Sequence, residues 1–407
     1  MRPGSLPTMN SSRPGSGEVN ALATLLKATS DEKVARGMVH TPAEIAQQPA
    51  TWSQTYEIFH QRQSEIRDFL HRAGIVSAQN TPPTVVLIGA GTSDYVGRSL
   101  VNLLRRQWDC DVVACPSTDL ITQLQDVLRP RRQYLCISFS RSGDSPEGVA
   151  VLDRILSSRA DIHHLVVTCN RDGRMIRQAE DGGRALGICL DDSVNDRGLA
   201  MTSSFSNMVV LGQCLAHIHQ PEQYSEILSH LVKAGNSFLP LAANRAAELA
   251  EGGYKKACFV GSGSLSAVAK ESALKLLEMT AGKVFTMSAS TVGLRHGPMA
   301  ALDHDTLLVN FMSGDEHFRG YDQDLMKEIG SKGLVKTRIS IGAGAEIISA
   351  NGRVPDFVAP DVRTPLEDDY RPPVDVIFGQ LLGLFFSLHW KLKPDNPSPN
   401  GAISRVV

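Results

Sequence analysis

Three serines around one glycine, and a carboxylate–lysine–carboxylate stripe, are the residues of this chain best suited to chemistry. The first set lies in Cys136-Ile-Ser-Phe-Ser-Arg-Ser-Gly-Asp-Ser-Pro-Glu147, where an apolar run (134–139) gives way to Ser140, Ser142 and Ser145. Pro146 suits the first turn of a following helix. A strand that ends in a hydroxyl-rich turn at a helix N-terminus is built to hold an anion, because unpaired N–H groups, the positive end of the macrodipole and hydroxyl donors converge there. A single serine would be an ordinary helix cap; three in so short a stretch favour a phosphate. The second set is Glu271, Lys275 and Glu278, which share one stripe of a helix whose apolar stripe is Leu265, Val268, Ala269, Ala273, Leu276 and Leu277. Taken alone, that stripe reads as a solvated Glu–Lys ladder worth a few tenths of a kcal/mol per pair. The turn Gly293-Leu-Arg-His-Gly-Pro-Met299 changes the reading, since a histidine between glycines and a proline is not packed on a helix face. A carboxylate and an imidazole are the pair that moves a proton at a carbon beside a carbonyl.

The elements that must position these groups are α/β units. Helical periodicity runs from 20 to about 73, with Pro42 just inside a new start, and Pro82-Pro83 marks a boundary. Strands are expected at 85–88, 112–115, 134–139 and 164–169, with helices at 95–107 and 147–158 between them. Such alternation implies a parallel, doubly wound sheet. A long helical passage (200–249) precedes a second unit that opens as the first does: Val85-Val-Leu-Ile-Gly-Ala-Gly-Thr-Ser93 is matched by Ala257-Cys-Phe-Val-Gly-Ser-Gly-Ser-Leu265. The apolar run 306–312 then ends in Ser313-Gly314-Asp315, echoing the Ser-Gly-Asp of the first unit. The chain therefore reads as an internal duplication. A dinucleotide site is disfavoured, because the third glycine of that fingerprint falls on Asp94 in one copy and Ser266 in the other.

Composition narrows the class. Hydrophobic residues make up 42% and charged ones 21% of the 407 residues, as in a soluble globular protein. A net charge of −2 offers no field for a nucleic acid. The seven cysteines are scattered without a Cys-x-x-Cys pair, which argues against disulfides and a zinc knuckle and fits a reducing cytoplasm. No apolar run is long enough for a membrane span, and residues 1–20 read as a disordered tail rather than a signal peptide.

With these motifs in view, the chain resembles the sugar isomerase (SIS) domain proteins. It is most similar to the branch of galactosamine-6-phosphate deaminase/isomerases, also called tagatose-6-phosphate ketose/aldose isomerases. The resemblance runs from Ala43 to the C-terminus and rests on Gly89-Ala-Gly-Thr-Ser93, Ser138-Phe-Ser-Arg-Ser-Gly-Asp-Ser-Pro-Glu147, Met201-Thr-Ser-Ser-Phe205, Glu271-Ser-Ala-Leu-Lys-Leu-Leu-Glu278, Leu294-Arg-His-Gly-Pro298 and Pro394-Asp-Asn-Pro-Ser398. The double unit also looks like the isomerase half of glucosamine-6-phosphate synthase.

The resemblance implies an α/β fold of two tandem doubly wound parallel-sheet SIS domains with an N-terminal helical extension. The implied divisions are a tail (1–20), N-terminal helices (21–80), a first SIS domain (81–225), a linker helix (226–252), a second SIS domain (253–393) and a C-terminal tail (394–407). It implies that Gly91, Thr92, Ser93, Ser140, Arg141, Ser142 and Ser145 hold the sugar phosphate, Arg141 standing where the synthases have a neutral residue. Thr202 and Ser203 follow a loop that approaches the sugar in relatives. Glu278 falls on the carboxylate that moves a proton between C2 and C1 of the open-chain sugar. His296 falls on the ring-opening histidine, which in relatives can reach a neighbouring subunit's site. The tail lysine of the synthases is missing, so its role is absent or taken by Arg405. The implied protein is a cytoplasmic homodimer or larger homo-oligomer, without metal or organic cofactor, turning galactosamine 6-phosphate into tagatose 6-phosphate and ammonia. Its partner is a small-molecule sugar phosphate, with no nucleic acid and no membrane. Alternatives are a simple aldose–ketose isomerase, a phosphosugar sensor and a lyase acting on an N-acetylmuramic acid phosphate ether. The sensor is disfavoured by the absence of a basic recognition helix and by the presence of both Glu278 and His296.

Overall fold

The apolar runs at 85–88 and 134–139 become the two central strands of a sheet, as their β-branched content and burial require. The structure, a computed structural model, describes residues 20–75, 82–180, 183–342, 356–358, 366–398 and 400–405. The expected disordered tail at 1–20 lies almost entirely outside the described residues.

Five helices come first: α1 (Ala21–Leu26), α2 (Ser30–Arg36), α3 (Thr41–Ala46), α4 (Gln48–Gln61) and α5 (Gln63–Arg72). The first unit then runs β1 (Thr84–Gly89), α6 (Thr92–Trp108), β2 (Val112–Pro116), α7 (Ser117–Val127), β3 (Tyr134–Ser140), α8 (Pro146–Ser158), β4 (Ile162–Thr168), α9 (Arg174–Glu180), β5 (Ala185–Cys189) and α10 (Ser203–Ala216). The helical passage expected from 200 to 249 divides at 217–220, where Pro221 begins α11 (Pro221–Ala250) in the position that suits proline. This helix is not a solvated spacer. Leu231, Phe238, Ala242 and Ala246 are fully buried, and it packs on α4 and on the last helix of the chain. The second unit comprises β6 (Lys256–Gly261), α12 (Leu265–Met279), β7 (Phe285–Ala289), β8 (Thr306–Phe311), α13 (Glu316–Ser331), β9 (Thr337–Ile341), β10 (Asp356–Val358) and α14 (Pro372–His389).

Both sheets are parallel and have the same order, β2-β1-β3-β4-β5 in the first and β7-β6-β8-β9-β10 in the second. The alternating residues of β1 show the layering. Val85 and Leu87 face the large core shared with α6, α10 and the second unit, whereas Val86 and Ile88 join a smaller core with α7 and α8. In such a strand order the chain leaves the central strands in opposite directions, so a crevice opens beyond their carboxyl ends. The first unit has this crevice between β1 and β3, the second between β6 and β8.

Candidate active site

The first crevice is formed by the turn after β1 and the serine loop after β3. Gly89 is tight against the backbone of Ser93, so a side chain there would collide with the start of α6. Gly91 has a φ of 56°, a left-handed conformation suited to glycine. Together they present Thr92 and Ser93, both buried, at the N-terminus of α6. Opposite, Ser140 and Ser142 are buried, and their hydroxyls accept from the loop's own backbone: Gly143 N donates to Ser140 (3.0 Å) and Asp144 N to Ser142 (3.2 Å). Ser145 stands at the N-terminus of α8 without a side-chain capping bond. A small cavity of about 10 Å³ lies among Gly89, Ala90, Ser117, Ser140 and Ser145. The Ser117 hydroxyl is buried there with no hydrogen-bond partner among the described residues. Ser117 was not anticipated; its only sequence signal is its position directly after a strand-ending proline.

The carboxylate stripe reaches this crevice from the second unit. Thr92 Oγ1 donates to Glu271 Oε1 (3.2 Å), tying the start of α6 to the middle of α12. Lys275 lies 3.5 Å from Glu271 and 2.8 Å from Glu278. The solvated-ladder reading fails: the side chains of Glu271 and Lys275 are 0% and 1% exposed, and only Glu278 keeps a partly open carboxylate, at 19%. The physical reason is that α12 is covered by α6 on one side and α14 on another, so its polar stripe faces protein. Burial pushes Glu271 up to about 7, against the pull of Lys275. For Lys275, burial acts to lower the pKa, but the two carboxylates outweigh it and the net shift is upward. The ammonium is thus held charged between two carboxylates, one fully buried and one partly open to solvent.

His296 is exposed, in the turn between two short 3₁₀ helices, and among the described residues it makes no hydrogen bond or ion pair with Glu278. The two residues are not assembled into one site by contacts within this chain.

Thr202 and Ser203 have a different role from the expected one. Both are fully buried, and with Ser204 they surround the Asp196 carboxylate, which accepts the three backbone N–H groups and the three hydroxyls. The first turn of α10 has N–H groups without helical partners, and Asp196 satisfies them. The hydroxyls expected to approach the sugar are therefore spent on this cap.

The loop that carries Asp196 is clamped from two distant parts of the chain. Glu44 Oε1 accepts from Arg197 N (2.5 Å) and Gly198 N (3.2 Å), and burial, with Asp196 nearby, pushes Glu44 up to about 8. Asp395 accepts from the backbone of Val39, His40 and Thr41, capping α3. Arg405 donates from Nε to the Asp196 carbonyl and from Nη2 to Asn195 Oδ1, both at 3.0 Å. Arg141 turns to the same loop, donating to the carbonyls of Gly198 and Leu199. Burial, then the neighbouring Arg405, lowers the Arg141 pKa. Two guanidiniums thus converge on the segment beside the serine loop.

No family model matches the chain. Comparison with individual proteins is decisive. An AgaS protein of Streptomyces coelicolor is 36% identical over 91% of this chain and 94% of its own length. The D-galactosamine-6-phosphate deaminase AgaS of Escherichia coli O157:H7 is 34% identical, covering 90% of this chain and 96% of the relative. This chain belongs to the AgaS family. The crystal structure of tagatose-6-phosphate ketose/aldose isomerase from Escherichia coli superposes with a TM-score of 0.81 at 30% identity, over 90% of this chain and 96% of that one. The SIS resemblance therefore holds for the whole described fold, both units included, and AgaS relatives are enzymes of sugar phosphates. No helix among the described residues is long and apolar enough to cross a membrane.

Proposed function

We propose that this AgaS-family chain is a deaminase/isomerase that converts D-galactosamine 6-phosphate into tagatose 6-phosphate and ammonia. The observation that carries this reading is the Glu271–Lys275–Glu278 triad, with Glu271 and Lys275 buried, tied through Thr92 to a hydroxyl-lined anion crevice, in a chain whose full-length relatives are named for that deamination. Gly91, Thr92, Ser93, Ser140, Ser142 and Ser145 hold the phosphate. It carries about −1.5 to −2 charge, which N–H groups and hydroxyls at a helix N-terminus neutralise without a lysine. Arg141, backed by Arg405, supplies positive charge from the flank. Thr202 and Ser203 act indirectly, fixing through Asp196 the loop on which those arginines rest.

With the phosphate anchored, the open-chain sugar extends towards α12. The Glu278 carboxylate removes the proton from C2, leaving an enolamine across C1 and C2. The same carboxyl returns the proton to C1, and C2 becomes an imine. Water adds to C2, the C2–N bond breaks, and ammonia leaves a ketose 6-phosphate. Lys275, 2.8 Å from Glu278, holds that carboxylate in place between turnovers. Ammonia and ketose phosphate released in equal amounts from galactosamine 6-phosphate, with kcat/KM at least about tenfold above that for glucosamine 6-phosphate, is the expected result. Ketose formation without ammonia would identify a simple isomerase, and tight binding without turnover a sensor.

The chain acts as a homodimer or larger assembly in which His296 opens the sugar ring in the neighbouring subunit's site. His296 is exposed, and nearby Phe285 on the edge strand β7 and Val292 are 62% and 41% exposed, an apolar surface suited to a second copy. Mixing an inactive Glu278→Gln chain with an inactive His296→Ala chain is expected to restore part of the activity, because one site of each mixed dimer has both residues. Mixtures that stay inactive despite demonstrated subunit exchange would place His296 in its own chain's site or outside the mechanism.

A further inference from the structure

The duplication leaves a second crevice, and it is open. Between the turn after β6 and the loop after β8 lies a cavity of about 500 Å³, within the size range of small-molecule sites. It occupies the same topological position as the first crevice, where ligands bind in doubly wound sheets. The correspondence extends to single residues. Ser264 follows Gly261-Ser-Gly263 as Thr92 follows Gly89-Ala-Gly91, and Arg106 stands as far beyond Thr92 on α6 as Glu278 stands beyond Ser264 on α12. Ser313 repeats the local bond of Ser142: Asp315 N donates to its hydroxyl (3.1 Å), as Asp144 N does to Ser142 (3.2 Å).

The chemistry of this copy is inverted. Arg106 takes the place of the glutamate. The anion nest is already filled by the chain's own Asp368, which accepts from Gly314 N (2.8 Å) and from the Ser313 hydroxyl and is held by Arg371 (2.9 Å). A phosphate would have to displace a carboxylate that three donors fix. It would also meet Asp315, Glu367 and Asp369, so that four carboxylates surround the space against two guanidiniums, Arg106 in the lining and Arg371 behind Asp368. Arg106 is itself paired with Asp369 and, at 3.6 Å, with Glu367. The field in such a cavity concentrates cations and repels phosphates. Asn102 and Ser262 add groups that bond hydroxyls, and Phe318, 55% exposed, offers an apolar face to a sugar ring.

We propose that this second crevice is a binding site for an unphosphorylated hexosamine, a polyhydroxylated ring carrying a protonated amine. It is separate from the phosphosugar site and does not depend on the reading of that site. The amine faces the carboxylates, the ring packs on Phe318, and the hydroxyls bond Asn102 and Ser262.

Calorimetric titration of the full chain with D-galactosamine tests this, using Asp315→Asn and Phe318→Ala variants to locate the binding. Asparagine still caps α13, and Phe318 is exposed enough that its truncation opens no internal cavity. Saturable binding is expected, weakened about tenfold or more by each substitution, which corresponds to about 1.4 kcal/mol. N-acetyl-D-galactosamine, which lacks the cation, is expected to bind at least about tenfold more weakly. Absence of saturable binding, equal binding by the variants (which would place the sugar in the first crevice), or equal binding of the acetylated sugar would each overturn the proposal. Spermidine binding as tightly as galactosamine would overturn the sugar half of it.

Discussion

Glu278→Gln is expected to lower kcat by about 10²–10⁴-fold while leaving phosphosugar binding nearly intact. Glutamine keeps the length of the side chain and can still accept a hydrogen bond from Lys275, so α12 and its packing are preserved. What it loses is the ability to take a proton from C2 and return it to C1. The phosphate is gripped by the turns after β1 and β3, which the substitution does not touch. A rate assay alongside equilibrium binding separates the two effects: a large fall in kcat with an unchanged dissociation constant is the expected pattern. Near-normal turnover would remove Glu278 from the proton path and leave the Glu271–Lys275–Glu278 triad a purely structural device.

The residues that contact one another over short stretches were legible in the sequence. The Gly-x-Gly turns, the serine loop and the doubled strand–turn–helix pattern each rest on local requirements: a positive φ at Gly91, unpaired N–H groups at a helix start, and β-branched residues in a buried strand. The family comparison agrees with the fold these features imply. What escaped was determined by distant segments. Taken alone, the stripe of α12 reads as a solvated ladder, because periodicity shows which residues share a face, not what covers that face. Here α6 and α14 cover it, and the same three residues become an ionic triad with Glu271 and Lys275 buried. Thr202 and Ser203 were read towards the sugar, whereas Asp196 captures their hydroxyls. The clamp on that loop joins Glu44, Asp196 and Arg405, residues from the two ends and the middle of the chain, and no local rule links them. Asp368 filling the second anion nest was equally hidden, although the repeated Ser-Gly-Asp had marked the nest itself.

The triad makes a second prediction, on stability rather than rate. Lys275→Met is expected to destabilise the fold by about 3–5 kcal/mol near pH 8, because it leaves a buried carboxylate without its compensating charge. Methionine matches the lysine stem in volume, so the loss reports the missing charge and not a cavity. Burial already holds Glu271 at about 7 even with the ammonium present. A carboxyl whose folded pKa is raised contributes stability that is full below its unfolded value near 4.5 and is lost as pH rises through the folded value. Without Lys275 the folded value rises further, so Glu271 folds protonated near pH 5 at little penalty and becomes an uncompensated demand near pH 8. The cost of Lys275→Met should therefore be larger at the higher pH. Adding Glu271→Gln, which keeps the bond from Thr92 but carries no charge, should recover most of that loss. Denaturant unfolding of the unsubstituted chain and the two variants at both pH values decides the matter. A cost below about 1 kcal/mol, the range of surface pairs, or one that does not change between the two pH values, would show that Lys275 is not the charge on which Glu271 depends.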